Sequence, residues 1–303
     1  MKENVFFSVI MTVYNDKRFI STALNSVIGQ SFSDYEILII DNGSSDGSIG
    51  IVENILKDNP SVKSQIIHLE TNQGISGGRN SGIENAKGEY ICILDADDYW
   101  YENKLQEVYN VLSRTKYDVV WHWEDHVKGD DKKTVKYRMI DRNNPYVDLL
   151  YNGNCFSPSA MTIRLVKIKD IGGFDVKRVS GEEDYDCWMR LAKSGSTFYL
   201  IEKPLGIFLI REDSYSKKLD IHMRGVLGLL EKQFSELSSG SSDSKRIMKD
   251  WKKVKSKSLC SYGHGYSLQH KRRKAFNLYL RSIRCNPFNF KAYAGILLSI
   301  IYR

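Results

Sequence analysis

From Phe6 to Asp97 the chain repeats one unit: a short apolar run, a polar cluster, then a stretch with apolar residues at helical spacing. The first run, Phe6-Phe7-Ser8-Val9-Ile10-Met11-Thr12-Val13, is apolar almost throughout, which predicts a strand buried on both faces. Ile20, Ala23, Leu24, Val27 and Ile28 recur behind it with the period of a helix. Glu36 to Asp41, Ser64 to Leu69 and Glu89 to Leu94 predict three further strands. Between them lie a helix through Ile51, Val52, Ile55 and Leu56, closed by Asn59-Pro60, and another over Ser81 to Lys87. Such alternation restricts the fold to α/β with a mostly parallel sheet. Ligands of these sheets collect at the carboxyl ends of the strands. The polar clusters stand there: Tyr14-Asn15-Asp16, Asp41-Asn42, Asn72 to Asn80, and Asp95 to Asp98.

A helix through Leu105, Val108, Val111 and Leu112 follows, then a strand over Asp118 to Trp123 and a polar turn over Lys128 to Lys133. A second block, Met161 to Arg211, holds a strand, the turn Gly172-Gly173-Phe174-Asp175, and a helix from near Glu183 that buries Trp188 and Leu191. The Ser- and Gly-rich stretch Ser235 to Lys245 reads as a linker. It divides a body over 1–234, with halves 1–98 and 99–234, from a helical region over 245–303. A chain of 303 residues has room for both. Tyr262-Gly263, then Lys274-Ala275-Phe276, Tyr279 and Asn286-Pro287 are spaced like one tetratricopeptide unit, which cannot bury its own face alone and must pack on the body, another chain or a membrane.

The net charge of +7 hides an asymmetry. Residues 245–303 carry 15 Lys and Arg against the single acid Asp250, a net +14, which leaves −7 on residues 1–244. A basic, aromatic tail predicts a polyanionic partner, either an anionic membrane surface or a nucleic acid. Phe288, Phe290, Tyr293, Ile296, Leu297 and Ile300 favour the membrane surface over nucleic acid, through shallow apolar insertion. No apolar stretch reaches the ~20 residues of a membrane span, and the N-terminus lacks a small-residue cleavage site. The expectation is a cytoplasmic protein held at the inner face of the plasma membrane. Cys92, Cys155, Cys187, Cys260 and Cys285 form no CxxC pair and are expected to be reduced.

Neither G-x-G-x-x-G after the first strand nor G-x-x-x-x-G-K-[ST] anywhere is present, so phosphates need another counter-charge. Asp95-Ala96-Asp97 points to one. Carboxylates at the end of a buried strand are costly unless they hold a cation, and a hard divalent ion bridging a diphosphate suits them. His122-Trp123-Glu124-Asp125-His126 spaces two His around acids but lacks the Glu directly after the first His that a zinc protease helix carries.

The ordered set Ser8 to Asn15, Leu24 to Val27, Gln30-Ser31-Phe32, Glu36 to Ser48, Asn72-Gln73-Gly74, Arg79 to Gly82, Gly88 to Ile91, Asp95 to Asp98, Gly172 to Asp175 and Glu183 to Leu191 resembles the family 2 glycosyltransferases over roughly residues 5–216. The resemblance implies the GT-A fold, a Rossmann-like, mostly parallel central sheet flanked by helices, here with a C-terminal helical extension. It implies inverting transfer of a sugar from a nucleotide diphosphate, a UDP-sugar foremost, to a hydroxyl of a glycan or lipid-linked oligosaccharide in bacterial surface polysaccharide synthesis. Mn2+ or Mg2+ would be held by Asp97, with Asp95 beside it. Asp184 would be the general base, with Glu183 as a second candidate. Thr12, Tyr14, Asn15, Asp41, Asn42, Arg79, Asn80 and Asp95 would bind the donor, and Trp188 the acceptor. Where the family has a second acid facing the base, this chain has Asn42, which both accepts and donates. In the segment Phe208 to Ser216, Arg211 stands where many relatives carry a metal-binding His. Arg has no lone pair for a cation, so Arg211 is assigned to the donor diphosphate.

Three other readings compete. A sugar-phosphate nucleotidyltransferase needs a Gly-rich loop with a basic residue where Thr12-Val13-Tyr14-Asn15 stands. A phosphatase with Asp95 as nucleophile needs a small or β-branched hydroxyl residue where Asp98 and Tyr99 follow Asp97. A scaffold acting through its basic tail does not need Asp95, Asp97 and Asp184 together.

Overall fold

The computed structural model of the chain describes residues 5–211 and 218–301, with side chains through Ser299. Residues 1–4, the Glu212 to Ser216 part of the Arg211 segment, and the side chain of Ile300 lie outside it. In chain order the elements are β1 (Phe7–Val13), α1 (Ile20–Ile28), β2 (Tyr35–Asp41), α2 (Ser48–Asp58), β3 (Ser64–His68), α3 (Gly74–Asn85), β4 (Tyr90–Asp95), β5 (Tyr99–Trp100), α4 (Lys104–Leu112), β6 (Val119–Lys128) and β7 (Asp131–Val135). They continue with α5 (Pro145–Asn152), a 3-10 turn (Pro158–Ala160), β8 (Thr162–Arg164), α6 (Leu165–Asp170), α7 (Glu183–Lys193), β9 (Phe198–Leu209), α8 (Leu219–Ser238), α9 (Ser244–Leu268), α10 (Arg272–Cys285) and α11 (Phe290–Ile301).

The described residues fall into two compact units, one of 5–149, 154–177 and 183–211, the other of 150–153, 178–182 and 218–301. In the first, one sheet runs β3-β2-β1-β4-β8-β6-β9-β5, with β7 paired to β6. Its β3-β2-β1-β4 half is wholly parallel, and the rest is mixed. Every residue of β2 and nearly every residue of β1 is buried, as expected of central strands covered on both faces. Strand order reverses at β1, and the register there sets Thr12 opposite Asp95 and Val13 opposite Asp41. The polar ends of three strands therefore share one edge of the sheet, at the topological switch point where ligands bind.

α3 lies directly on β1 because it is glycine-rich on the facing side. A Cβ at Gly78 would stand 2.5 Å from Thr12 Cγ2, and one at Gly82 would stand 2.4 Å from Ile10 Cγ2. This helix begins at Gly74, not at Ser81 as the sequence predicts. Its early turns contain Gly74, Ser76, Gly77 and Gly78, which carry no apolar periodicity to read. The predicted turn over Lys128 to Lys133 is instead the β6–β7 hairpin, turning through Gly129 at φ 59°. The strand Asp118 to Trp123 correspondingly extends to Lys128 and includes His122 through His126.

In the second unit Met223, Leu259, Tyr266, Ala275, Leu278, Tyr279 and Ala292 form the core of a bundle of α8 to α11. Tyr279 is enclosed by two glycines: a Cβ at Gly263 of α9 would lie 2.8 Å from its ring, and one at Gly295 of α11 would lie 2.4 Å away. Ser256 and Ser282 exchange side-chain to backbone hydrogen bonds of 2.9 and 2.8 Å, and Asn289 Nδ2 donates to Ser256 Oγ at 3.0 Å. The predicted linker is only a turn within this bundle. Ser235 to Ser238 end α8 and Ser244 opens α9. α8 thus belongs with the helical unit, which differs from the expected boundary after residue 234. Among the described residues no helix is long and apolar enough to cross a membrane. The five cysteines are free thiols.

Candidate active site

Asp95 closes β4, and Asp97 follows two residues on; both are half-buried, while Asp98 between them and β5 is buried. Asp98 is fully used by the fold. It accepts Ser159 Oγ at 2.6 Å and the Leu209 N–H at 3.0 Å. Burial keeps its carboxyl well above the ordinary range. Ser159 Oγ in turn accepts the Asp95 N–H at 3.2 Å, so the acid turn is fastened to the end of β9. That fastening brings Arg211 to Asp97: its Nε lies 3.0 Å from Asp97 Oδ2 and its Nη1 lies 3.6 Å from Asp16 Oδ1. Burial and the charge of Asp95 push Asp97 up to about 6, against the pull of Arg211.

Arg79 of α3 is 1% exposed. Its Nη2 donates to Asp95 Oδ1 at 2.8 Å, its Nη1 lies 3.5 Å from Glu183 Oε1, and its guanidinium stacks 5.2 Å from the Phe174 ring centre. One buried fork thus joins the acid turn after β4 to the first turn of α7. Asp184, beside Glu183, is the least buried residue of the run Glu182 to Met189. It accepts the Tyr185 N–H at 2.5 Å and Asn154 Nδ2 at 3.3 Å. Burial and the neighbouring Glu183 charge push it up to about 7, although Arg79 opposes this. A carboxyl that titrates near neutrality at the edge of a site is suited to accept a proton.

Several expected donor ligands are committed elsewhere. Asn42 is 3% exposed and spends both ends of its amide on the loop before α3: Nδ2 donates to Asn72 Oδ1 at 3.2 Å and Gly74 O at 3.0 Å, and Oδ1 accepts the Gln73 N–H at 2.9 Å. It shapes the loop rather than facing a base. Asn80 likewise brackets the Phe174 backbone with two 2.8 Å hydrogen bonds, one donated and one accepted. Arg79 holds carboxylates inside the protein rather than offering its fork to a phosphate. Trp188, expected at the acceptor, is wholly buried, edge-on to Phe156 and Phe174. It packs the core beneath α7.

The other expected residues line the edge. Asp41 accepts the Ser44 N–H at 2.8 Å and meets His68 Nδ1 at 3.0 Å; burial raises its pKa, but these partners outweigh burial and hold it below the usual range. Asn15, at φ 56°, accepts the Ser45 N–H at 2.9 Å. Tyr14 is 47% exposed at the end of β1, and Thr12 Oγ1 is buried without a hydrogen-bond partner. His122 is buried with Nδ1 on Trp123 O at 2.7 Å, and burial lowers its pKa to about 3. Sequence pattern alone does not mark Asp16, Asn154 or Ser159 as site residues. Only the Tyr14-Asn15-Asp16 cluster at a strand end pointed to any of them.

The donor set fits a hard divalent cation. Asp95 and Asp97 offer oxygen alone, two residues apart at the end of β4, with burial first and the Asp95 charge second disfavouring an uncompensated Asp97 carboxylate. Among the described residues no three His, Cys, Asp or Glu side chains cluster as ligands. The remaining coordination would fall to donor oxygens and water.

The sequence profile described as glycosyl transferase family 2 matches residues 8–172. An uncharacterized glycosyltransferase of Nostoc sp. is 39% identical over 159 residues, which cover 50% of this chain and 48% of that protein. The amylovoran biosynthesis glycosyltransferase AmsB of Erwinia amylovora is 27% identical over 212 residues, 67% of this chain and 69% of AmsB. The crystal structure of S. aureus TarS 1–349 in complex with UDP-GlcNAc superposes with TM-score 0.67 at 20% identity, covering 97% of this chain and 89% of that one. The mannosyltransferase PcManGT from Pyrobaculum calidifontis, in complex with GDP-Man and Mn2+, gives TM-score 0.60 at 14% identity over 99% and 88% of the two chains. The fold is therefore the GT-A-like fold, and, with more than half its length matched by the profile, this chain belongs to glycosyl transferase family 2.

Proposed function

We propose that the chain transfers a sugar with inversion from a UDP-sugar to a hydroxyl of a bacterial surface glycan, on a lipid-linked acceptor at the membrane. The observation that carries this reading is the Asp95–Arg79–Glu183 bridge, which sets a cation-suited acid pair and the first turn of α7, with Asp184, on either side of one arginine. The UDP-GlcNAc complex of TarS supports the choice of donor. The likeness to AmsB, named for amylovoran biosynthesis, supports a biosynthetic role in making a glycan.

Asp97, with Asp95 beside it, would hold Mn2+ or Mg2+, whose charge stabilises the departing diphosphate. Asp41, Asn15, Tyr14 and Thr12 border the edge where the nucleoside would lie. Asp184, as carboxylate, takes the proton from the acceptor hydroxyl. The acceptor oxygen forms its bond to the anomeric carbon as the bond to the diphosphate breaks, and UDP leaves with that electron pair. Asn154 and the Tyr185 N–H orient the Asp184 oxygens.

Release of UDP from a panel of UDP-sugars, with Mn2+ and a glycan acceptor, tests the reading. Asp184→Asn is expected to lower kcat by about 10²–10⁴-fold and to keep UDP affinity. Asp97→Asn is expected to weaken UDP binding only when metal is present. Equal loss of UDP affinity in both variants refutes the two roles, and no release from any nucleotide sugar refutes the function.

A further inference from the structure

Arg211 occupies the place where a neutral ligand to a cation would be useful, yet it is itself a cation. Its guanidinium is seated on the chain's own groups: Asp97 Oδ2 at 3.0 Å, Asp16 Oδ1 at 3.6 Å, and the ring of Phe19 with its centre 4.9 Å away. Asp95 already has Arg79 at 2.8 Å. Each of the two acids suited to a divalent ion thus carries an arginine of its own.

An arginine and a divalent ion cannot share Asp97 at no cost. They compete for the same oxygen, and two positive groups so close repel each other. A diphosphate changes the balance, because two of its oxygens can accept charge-assisted hydrogen bonds from the planar fork of a guanidinium. Arg211 is placed to make that exchange, being only partly buried and two residues past the end of β9. Resting on the reading that a metal-bound nucleotide docks at Asp95 and Asp97, we propose that Arg211 is a resident counter-cation of Asp97 that the donor diphosphate draws away. Metal and nucleotide then bind cooperatively, since each is accommodated fully only when Arg211 has changed partners.

The test is Mn2+ affinity of the full chain, read by electron paramagnetic resonance of the free ion, with and without UDP. Arg211→Gln removes the charge and keeps much of the length. It is expected to bind Mn2+ alone about tenfold more tightly than the natural chain, a difference of about 1.4 kcal/mol. UDP should then strengthen its Mn2+ binding by a factor about tenfold smaller than in the natural chain. Arg211→Lys keeps a cation at the position and should stay close to the natural chain in Mn2+ binding alone, which separates charge from shape. The proposal is overturned if Arg211→Gln binds Mn2+ alone no more tightly, if Arg211→Lys binds Mn2+ alone as Arg211→Gln does, or if UDP strengthens Mn2+ binding as much without Arg211 as with it. Absence of Mn2+ binding in all three proteins also overturns it. Sugar transfer is read separately, by UDP release, so that reading can stand when this one falls.

Discussion

Asp184 makes the proton accounting of the site testable at the scale of one side chain. Burial raises its pKa first, and the charge of Glu183 adds to the shift, to about 7. A general base works as the carboxylate, so kcat/KM should rise with pH through a limb near 7 and fall away below it. Glu183→Gln removes the like charge, and the limb should move to lower pH by about half a unit. A limb that stays in place in Glu183→Gln assigns the titration to some other group. The kinds of residue in the site were legible in the sequence, because acids at strand ends and at a helix start announce themselves by position. Their partners were not. Nothing in the order of residues says that the Asn42 amide is consumed by Gln73 and Gly74, or that Asn80 brackets Phe174 across 94 positions. Trp188 lies one helical turn beyond Asp184, which invites a shared role, but the turn carries it under α7 into the core.

Among elements, the contact of α3 with β1 decides where Arg79 stands. Gly78→Ala would press a methyl group against Thr12 Cγ2, at 2.5 Å before any relaxation. Overpacking of this kind costs about 1–3 kcal/mol, and here it also displaces the neighbouring Arg79. The expected result is a lower urea midpoint together with weaker UDP binding. Gly50→Ala in α2 is the control. Nothing lies within 4 Å of its Cβ, so the change should be neutral or stabilise by about 1 kcal/mol. A Gly78→Ala protein as stable as the control would show that α3 is free to adjust. The central strands were legible because burial on both faces leaves an unbroken apolar run. β7 was not: it is an exposed partner of β6 rich in charge, Asp131-Lys132-Lys133-Thr134-Val135, and carries no burial signal.

At the scale of the whole molecule the dominant feature is the segregation of charge. The basic excess over 245–303 lies on α9, α10 and α11, where Arg272, Arg273, Arg281 and Arg284 are exposed. α11 buries Ala292 and leaves Phe290, Tyr293, Leu297 and Leu298 exposed, with 74% of Phe290 accessible. We propose this combination as the membrane contact. Sedimentation with phosphatidylglycerol vesicles should show binding that weakens with salt. It should be lost when the four arginines become Gln, and reduced by Phe290→Ser with Leu297→Ser. Unchanged sedimentation in both variants would assign these helices to another surface. Substitution is preferable to deletion, since α8 shares its core with α9, α10 and α11 through Met223. The enclosure of Tyr279 by Gly263 and Gly295 has a consequence for descent. Enlarging either glycine alone meets the ring, and shrinking the ring alone opens a hole among three helices. No single step leads away from that arrangement without loss of packing, so in chains that inherit this bundle the three positions should change as a set or persist together.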